Sequence, residues 1–122
     1  MDRYEYIIEL GKALPTLDET HKAEENLVKG CQSKVWLTAS LENGKIVYLA
    51  DSNTVITKGI IAILIRLFSN QTPDVVLKND LSIINAIDLR AHLSSQRSNG
   101  LTAMVKMMKQ YALVFKQQLE VN

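Results

Sequence analysis

The sequence contains one cysteine, Cys31, two histidines, His21 and His92, and two prolines in 122 residues. A lone cysteine makes no internal disulfide, and an unpaired thiol suits a reducing compartment. Holding an iron-sulfur cluster or a tetrahedral zinc normally takes about three or four thiolate or imidazole ligands, so a scaffold or zinc role is disfavoured. Charge of one sign is also scarce: 14 basic residues face 13 acidic ones, for a net charge of +1, and they are scattered. No stripe tracks phosphates and no polybasic anchor is present, which argues against nucleic acid and membrane surfaces as partners. The most apolar stretch, within Val55 to Phe68, is shorter than the roughly 20 residues that cross a bilayer. The start, Met1-Asp2-Arg3-Tyr4, lacks the basic region and apolar core of a secretory signal. These absences together lead us to expect a cytoplasmic chain.

What is present is enough for one domain over residues 1–122, because 47% of the residues are hydrophobic and a chain of this length buries a core without cross-links. Tyr4, Ile7, Ile8, Gly11 and Leu14 recur at helical spacing until Pro15 stops the helix. Thr16 to Glu25 reads as a solvated connection. Leu27-Val28 then suggests a short strand leading into a loop at Gly30-Cys31. Val35, Leu37, Ala39 and Leu41 alternate with Trp36, Thr38 and Ser40 as in a strand with one apolar face, and Asn43-Gly44 returns the chain as a second, antiparallel strand over Lys45 to Ala50. That turn would set Leu41 opposite Ile46 and Glu42 opposite Lys45. Asp51-Ser52-Asn53 offers caps for a buried helix over Val55 to Phe68, and Thr72-Pro73-Asp74 opens a shorter one. Ile83, Ile84, Ile87 and Leu89 suggest helical turns between Asp80 and Leu93. A polar turn, Arg97-Ser98-Asn99-Gly100, precedes a stripe running from Leu101 through Met104, Met108 and Tyr111 to Leu119. Helix, strands, then helices predict an α+β fold, a small antiparallel sheet with helices packed mainly on one face.

Chemistry centres on Cys31, in Lys29-Gly30-Cys31-Gln32-Ser33-Lys34. Glycine permits an unusual backbone there and the lysines favour a thiolate. Composition alone leaves open the plainer alternative, a small buried apolar residue. A hydrolase would need a base beside the thiol, and neither His21, in a polar connection, nor His92 makes a compelling one.

Four groups of residues nevertheless occur in a familiar order. They are Tyr6-Ile7-Ile8-Glu9-Leu10-Gly11 with Leu14-Pro15; Gly30-Cys31-Gln32-Ser33 with Val35-Trp36-Leu37; Ala50-Asp51-Ser52 with Lys58-Gly59; and His92-Leu93-Ser94 with Arg97-Ser98-Asn99-Gly100-Leu101. In order and spacing these resemble the SufE family over nearly the whole chain. The resemblance implies a fold related to the IscU-type scaffolds. It also implies a sulfur carrier whose Cys31 accepts persulfide sulfur from a cysteine desulfurase, SufS-like or CsdA-like, raises that enzyme's turnover and delivers sulfur to an iron-sulfur scaffold complex. It assigns Arg97 to engaging the desulfurase, and Gln32, Ser33, Asp51 and Asn53 to supporting or partner-binding positions. No cofactor is expected on this chain, since the pyridoxal phosphate belongs to the desulfurase. Two departures stand out. Asn53 replaces the second acid of the usual Asp-Ser-Asp, and Ser95-Gln96 stands where Pro-Ser is usual. The rival reading is an adaptor that activates the desulfurase without carrying sulfur.

Overall fold

A computed structural model of the protein describes residues 3–14, 17–29, 34–78 and 95–121. The first helix, α1, spans Arg3–Ala13. Two short 3-10 turns follow at Glu19–His21 and Glu24–Asn26, and the strands β1 and β2 span Val35–Glu42 and Lys45–Ser52. Helix α2 is Val55–Phe68, α3 is Pro73–Lys78, and α4 is the long helix Ser95–Val121. The expected helical turns between Asp80 and Leu93 lie outside the described residues. Among the described residues, no helix is long and apolar enough to cross a membrane.

The hairpin has the register that its turn dictates, with Leu41 opposite Ile46 and Glu42 opposite Lys45. Asn43 and Gly44 both adopt positive φ, 54° and 79°, as a primed two-residue turn requires. Alternation then places Val35, Leu37, Ile46, Tyr48 and Ala50 on one face, all nearly inaccessible to solvent. Against that face α2 packs Ile60, Ile61, Leu64 and Phe68, and α4 packs Leu101, Met104, Val105, Met108 and Ala112. The architecture is therefore α+β: among the described residues, a two-stranded antiparallel sheet with α2 and α4 on its inner face and α1 packed on α2.

A bare two-stranded hairpin is marginal and leaves edges open to other chains. Here both edges are engaged. Leu27 bridges Trp36 on the outer side of β1, and Gln71 bridges Ile46 on the outer side of β2. Asn70, at φ 63°, turns the chain after α2 so that its N–H donates to the Ile46 carbonyl at 2.7 Å.

One buried hydrogen bond ties sheet to helix: the Tyr48 hydroxyl donates to the Met108 carbonyl at 2.6 Å. Burial also pushes the Tyr48 phenol far above its ordinary value. Tyr48→Phe keeps the ring and leaves that carbonyl without its side-chain donor, so it is expected to cost about 1–2 kcal/mol. Urea denaturation with an unchanged m-value would measure it, and parent-like stability would show the bond to be dispensable.

Three sequence expectations need correction. Asp51, Ser52 and Asn53 do not cap α2. Its N-cap is Thr54, because β2 extends through Asp51 and Ser52 to pair with Trp36 and Val35. The polar turn at residues 97–100 is absorbed into the start of α4. The apolar stripe of α4 also outruns its partner surface, since Ala112 is buried but Leu119 is 44% exposed.

Candidate functional site

The segment carrying the cysteine hangs between two described anchors. On its N-terminal side, Val28 is buried and donates its N–H to the Val35 carbonyl at 2.8 Å. On its C-terminal side, Lys34 is held through its backbone. Its N–H donates to Asn53 Oδ1 at 3.1 Å, and its carbonyl accepts from the Ser52 hydroxyl at 2.8 Å and from the Asn53 N–H at 3.2 Å. Cys31, Gln32 and Ser33 lie outside the described residues, as does His92. Arg97 falls in the first turn of α4, and His21 sits exposed on the first 3-10 turn. Of the supporting residues expected from the sequence, the structure brings Asp51 and Asn53 together at the end of β2.

Asn53 substitutes without loss at this contact, since an amide oxygen accepts from a backbone N–H as a carboxylate oxygen does. What the missing charge changes is the electrostatics at Lys34, not the presence of the bond.

Asp51 is 2% exposed, and a buried carboxylate needs partners. The Ser52 N–H donates to Oδ1 at 2.8 Å. Two ammonium groups flank it: Lys58 from α2, 3.4 Å from Oδ1, and Lys22 from the connection before Cys31, 3.2 Å from Oδ2. The Lys22 contact is close enough for charge attraction but falls outside hydrogen-bond geometry, so Oδ2 is buried without a hydrogen bond. The Lys22 hydrogen bond goes instead to Glu19 Oε1 at 3.1 Å. Lys22 also stands over the Trp36 ring, 5.7 Å from its centroid, a cation–π arrangement. Trp36 thus packs beneath the connection that precedes the cysteine.

Sequence reading assigned Thr16 to Glu25 to solvent and so missed Lys22. Leu17 is also buried there, at 4% exposure. No local signal identifies Lys22, because its partners Trp36 and Asp51 are distant in the chain. The sequence carried only the general rule that a buried acid must find a cation.

The balance at Asp51 sets a pH dependence. Burial by itself would raise its carboxyl, but the Ser52 N–H and the ammonium groups of Lys22 and Lys58 outweigh it and hold the group below its ordinary value of 3.8. A carboxyl depressed in the folded state stabilises the fold fully above the unfolded-state value, and that contribution fades as pH falls through the folded-state value. The stability difference between parent and Asp51→Asn is therefore expected to shrink from neutral pH toward pH values below 3.8. Parallel denaturation curves at each pH would show this. A constant difference would mean that the charge at Asp51 contributes nothing.

Among the described residues, no three His, Cys, Asp or Glu side chains gather as a metal site would need. The described part of the site is a polar frame that holds the residues on either side of the cysteine-bearing segment, with two cations on the Asp51 carboxylate.

Comparison with known proteins gives this frame a context. A family model described as "SufE: Fe-S metabolism associated domain" matches residues 1–112. An uncharacterised SufE-like protein of Rhizobium meliloti (strain 1021) is 40% identical over 116 residues, 91% of this chain and 83% of its own length. A second, from Rhizobium etli, is 42% identical and covers 93% of this chain and 80% of its own length. A third, from Synechocystis, is 37% identical over 93% of this chain and 72% of its own length. The solution structure of a hypothetical protein from Thermus thermophilus superposes with a TM-score of 0.76, over 94% of this chain and 85% of that one. At 19% identity, that likeness speaks to the fold alone.

Proposed function

The chain belongs to the SufE family of Fe-S metabolism associated proteins, and from that premise we propose that it is a sulfur carrier acting through Cys31. The observation that carries the reading is the frame itself. The only cysteine of the chain stands in a segment of which one end is bonded to β1 and the other is gripped by Ser52 and Asn53.

The transfer needs one thiol. The Cys31 thiolate attacks the outer sulfur of a persulfide on the donor enzyme, a new S–S bond forms to Cys31, and the donor's S–S bond breaks. The electron pair leaves with the donor cysteine as thiolate. No external oxidant or reductant is consumed, and Cys31 ends as the persulfide. Lysine side chains near the segment favour the thiolate that this attack requires.

The donor is a cysteine desulfurase, whose own pyridoxal phosphate frees the sulfur, and the recipient is an iron-sulfur scaffold complex. Arg97 serves as a docking residue for the desulfurase, with Gln32 and Ser33 beside the reacting cysteine. The test is intact-mass spectrometry of this protein after incubation with a cysteine desulfurase and cysteine, followed by peptide mapping. Added sulfur on the peptide containing Cys31 is the expected result. A desulfurase that binds and is stimulated while the mass stays unchanged would favour the adaptor reading instead.

A further inference from the structure

One side of α4 faces the core through Leu101, Met104, Val105, Met108 and Ala112. A second stripe, at alternating spacings of four and three, runs along the helix at Lys106, Gln110, Leu113, Gln117 and Glu120, every one of them exposed. We infer that this stripe is a self-complementary surface on which a second copy of the chain docks, the two α4 helices lying antiparallel about a two-fold axis beside Leu113. The inference is independent of the carrier reading, since none of these residues belongs to the cysteine-bearing segment or its frame.

The order of the side chains carries the argument. Lys106 stands seven residues before Leu113, and Glu120 seven residues after it. Each charge is therefore about two helical turns, or about 10 Å, from the centre. When the helix is laid against a reversed copy of itself, Lys106 of each chain meets Glu120 of the other. Gln110 and Gln117, three residues before the centre and four after it, face each other in the same way, and an amide both donates and accepts. Leu113 meets its own counterpart on the axis. A two-fold interface demands this reciprocity, residue i on j and j on i. A parallel pair would instead set Lys106 against Lys106 and Glu120 against Glu120.

Both charges are available for such a contact. Among the described residues, neither Lys106 nor Glu120 has an ion-pair partner within its own chain. Lys116, one turn before Glu120, gives its short contact to Asp74 at 3.0 Å and attracts Glu120 only at longer range. Apolar surface lies beside the charges. Leu113 is 49% exposed, and Val114 and Val121, which border the stripe, are 50% and 86% exposed. Covering them in a dimer removes that surface from water. The contact is short beside a standard interface, so the dimer is a weak, reversible one with a Kd on the order of 100 µM.

Analytical ultracentrifugation of the chain from about 10 µM to about 1 mM tests the inference, and the weight-average mass should climb from one chain toward two across that range. Lys106→Glu and Glu120→Lys each turn both ion pairs into repulsions and should weaken association about tenfold. Combining the two substitutions in one chain should restore it. An equimolar mixture of the two single variants should also associate, since one helix is then acidic at both ends of the stripe and the other basic. Leu113→Glu sets two carboxylates on the axis and should leave only monomer. Lys106 and Glu120 are exposed and outside the core, so the charge variants carry the test even if Leu113→Glu fails to fold. A parent that stays monomeric at about 1 mM, whether its stripe is bare or serves another protein, would overturn the inference. So would single charge variants that associate as the parent does, or a double variant that fails to recover.

Discussion

Cys31→Ser is expected to fold as the parent does and to acquire no sulfur from a cysteine desulfurase. The substitution replaces one sulfur by oxygen in a small side chain and is expected to change the unfolding free energy by less than about 1 kcal/mol. Chemically it removes the reacting atom. A serine hydroxyl is not ionised near neutral pH and has no soft, polarisable lone pair for a persulfide sulfur, whereas a thiol ionises in or near the physiological range. Sulfur uptake should therefore fall to background, not to an intermediate value. Desulfurase turnover separates the two readings of the protein. A carrier variant without its thiol stalls the donor with its persulfide still loaded, so stimulation should vanish as well. An adaptor would stimulate turnover undiminished, and that result would sink the carrier reading. A loss of stability beyond about 2 kcal/mol would instead give Cys31 a packing role.

The largest effect on stability is expected at Gly11. This residue is buried where α1 crosses α2, and a Cβ added there would stand 2.8 Å from the Gly59 backbone nitrogen, 3.0 Å from Lys58 Cβ and 3.1 Å from the Lys58 carbonyl carbon. Those neighbours are mostly backbone, and α2 cannot retreat because its opposite side carries Ile60, Ile61 and Leu64 into the core. Two effects oppose each other in Gly11→Ala. Alanine gains up to about 1 kcal/mol of helix propensity, while overpacking costs about 1–3 kcal/mol. With immobile atoms inside contact distance the second wins, and we expect a net loss of about 1–2 kcal/mol, rising further for Gly11→Val. Gly44→Ala is the contrast: nothing lies within 4 Å of its added Cβ and only the φ of +79° is unfavourable, so its cost should be about 1 kcal/mol of backbone strain. Denaturant midpoints for the two variants would decide. A Gly11→Ala protein as stable as the parent would mean that the helices separate freely at this crossing.

The contact also bears on the site. Gly11 abuts Lys58, one of the two cations on Asp51, so a displaced α2 would disturb that ion pair as well as the core.

Much of the architecture was legible in the sequence because local chemistry specified it. Asn43-Gly44 determined the hairpin and its register, since a one-residue slip would turn Val35, Leu37, Ile46 and Tyr48 toward the wrong face. Pro15 and Pro73 marked where a helix ends and where another begins. The run from Val55 to Phe68 was recognisable by its length and composition, and the motifs around Cys31 and Arg97 pointed to the family that the comparisons support.

Other features depended on neighbours distant in the chain. Asp51 and Ser52 have a strong local preference for capping, yet the pairing of β2 with Val35 and Trp36 draws them into the sheet, a tertiary demand overriding a local one. Gly100 sits in a helix despite its poor propensity because the following turn is anchored by Leu101 in the core. The stripe on α4 was correct about which residues share a face. It could not show that the face loses its partner between Phe115, which still packs against the core, and Leu119, which is exposed, because periodicity records orientation and not company.

By itself, then, the sequence determined the order of α1, β1, β2, α2 and α3, the hairpin register, the inward face of β1, α2 as a buried helix, and Cys31 as the one thiol of the chain. Only the tertiary structure decided how Lys22, Asp51 and Lys58 meet, and that Ser52 and Asn53 hold Lys34. The physical reason is range: turns and periodicity act over a few residues, whereas a buried carboxylate recruits its cations from whatever parts of the chain the folded core brings beside it.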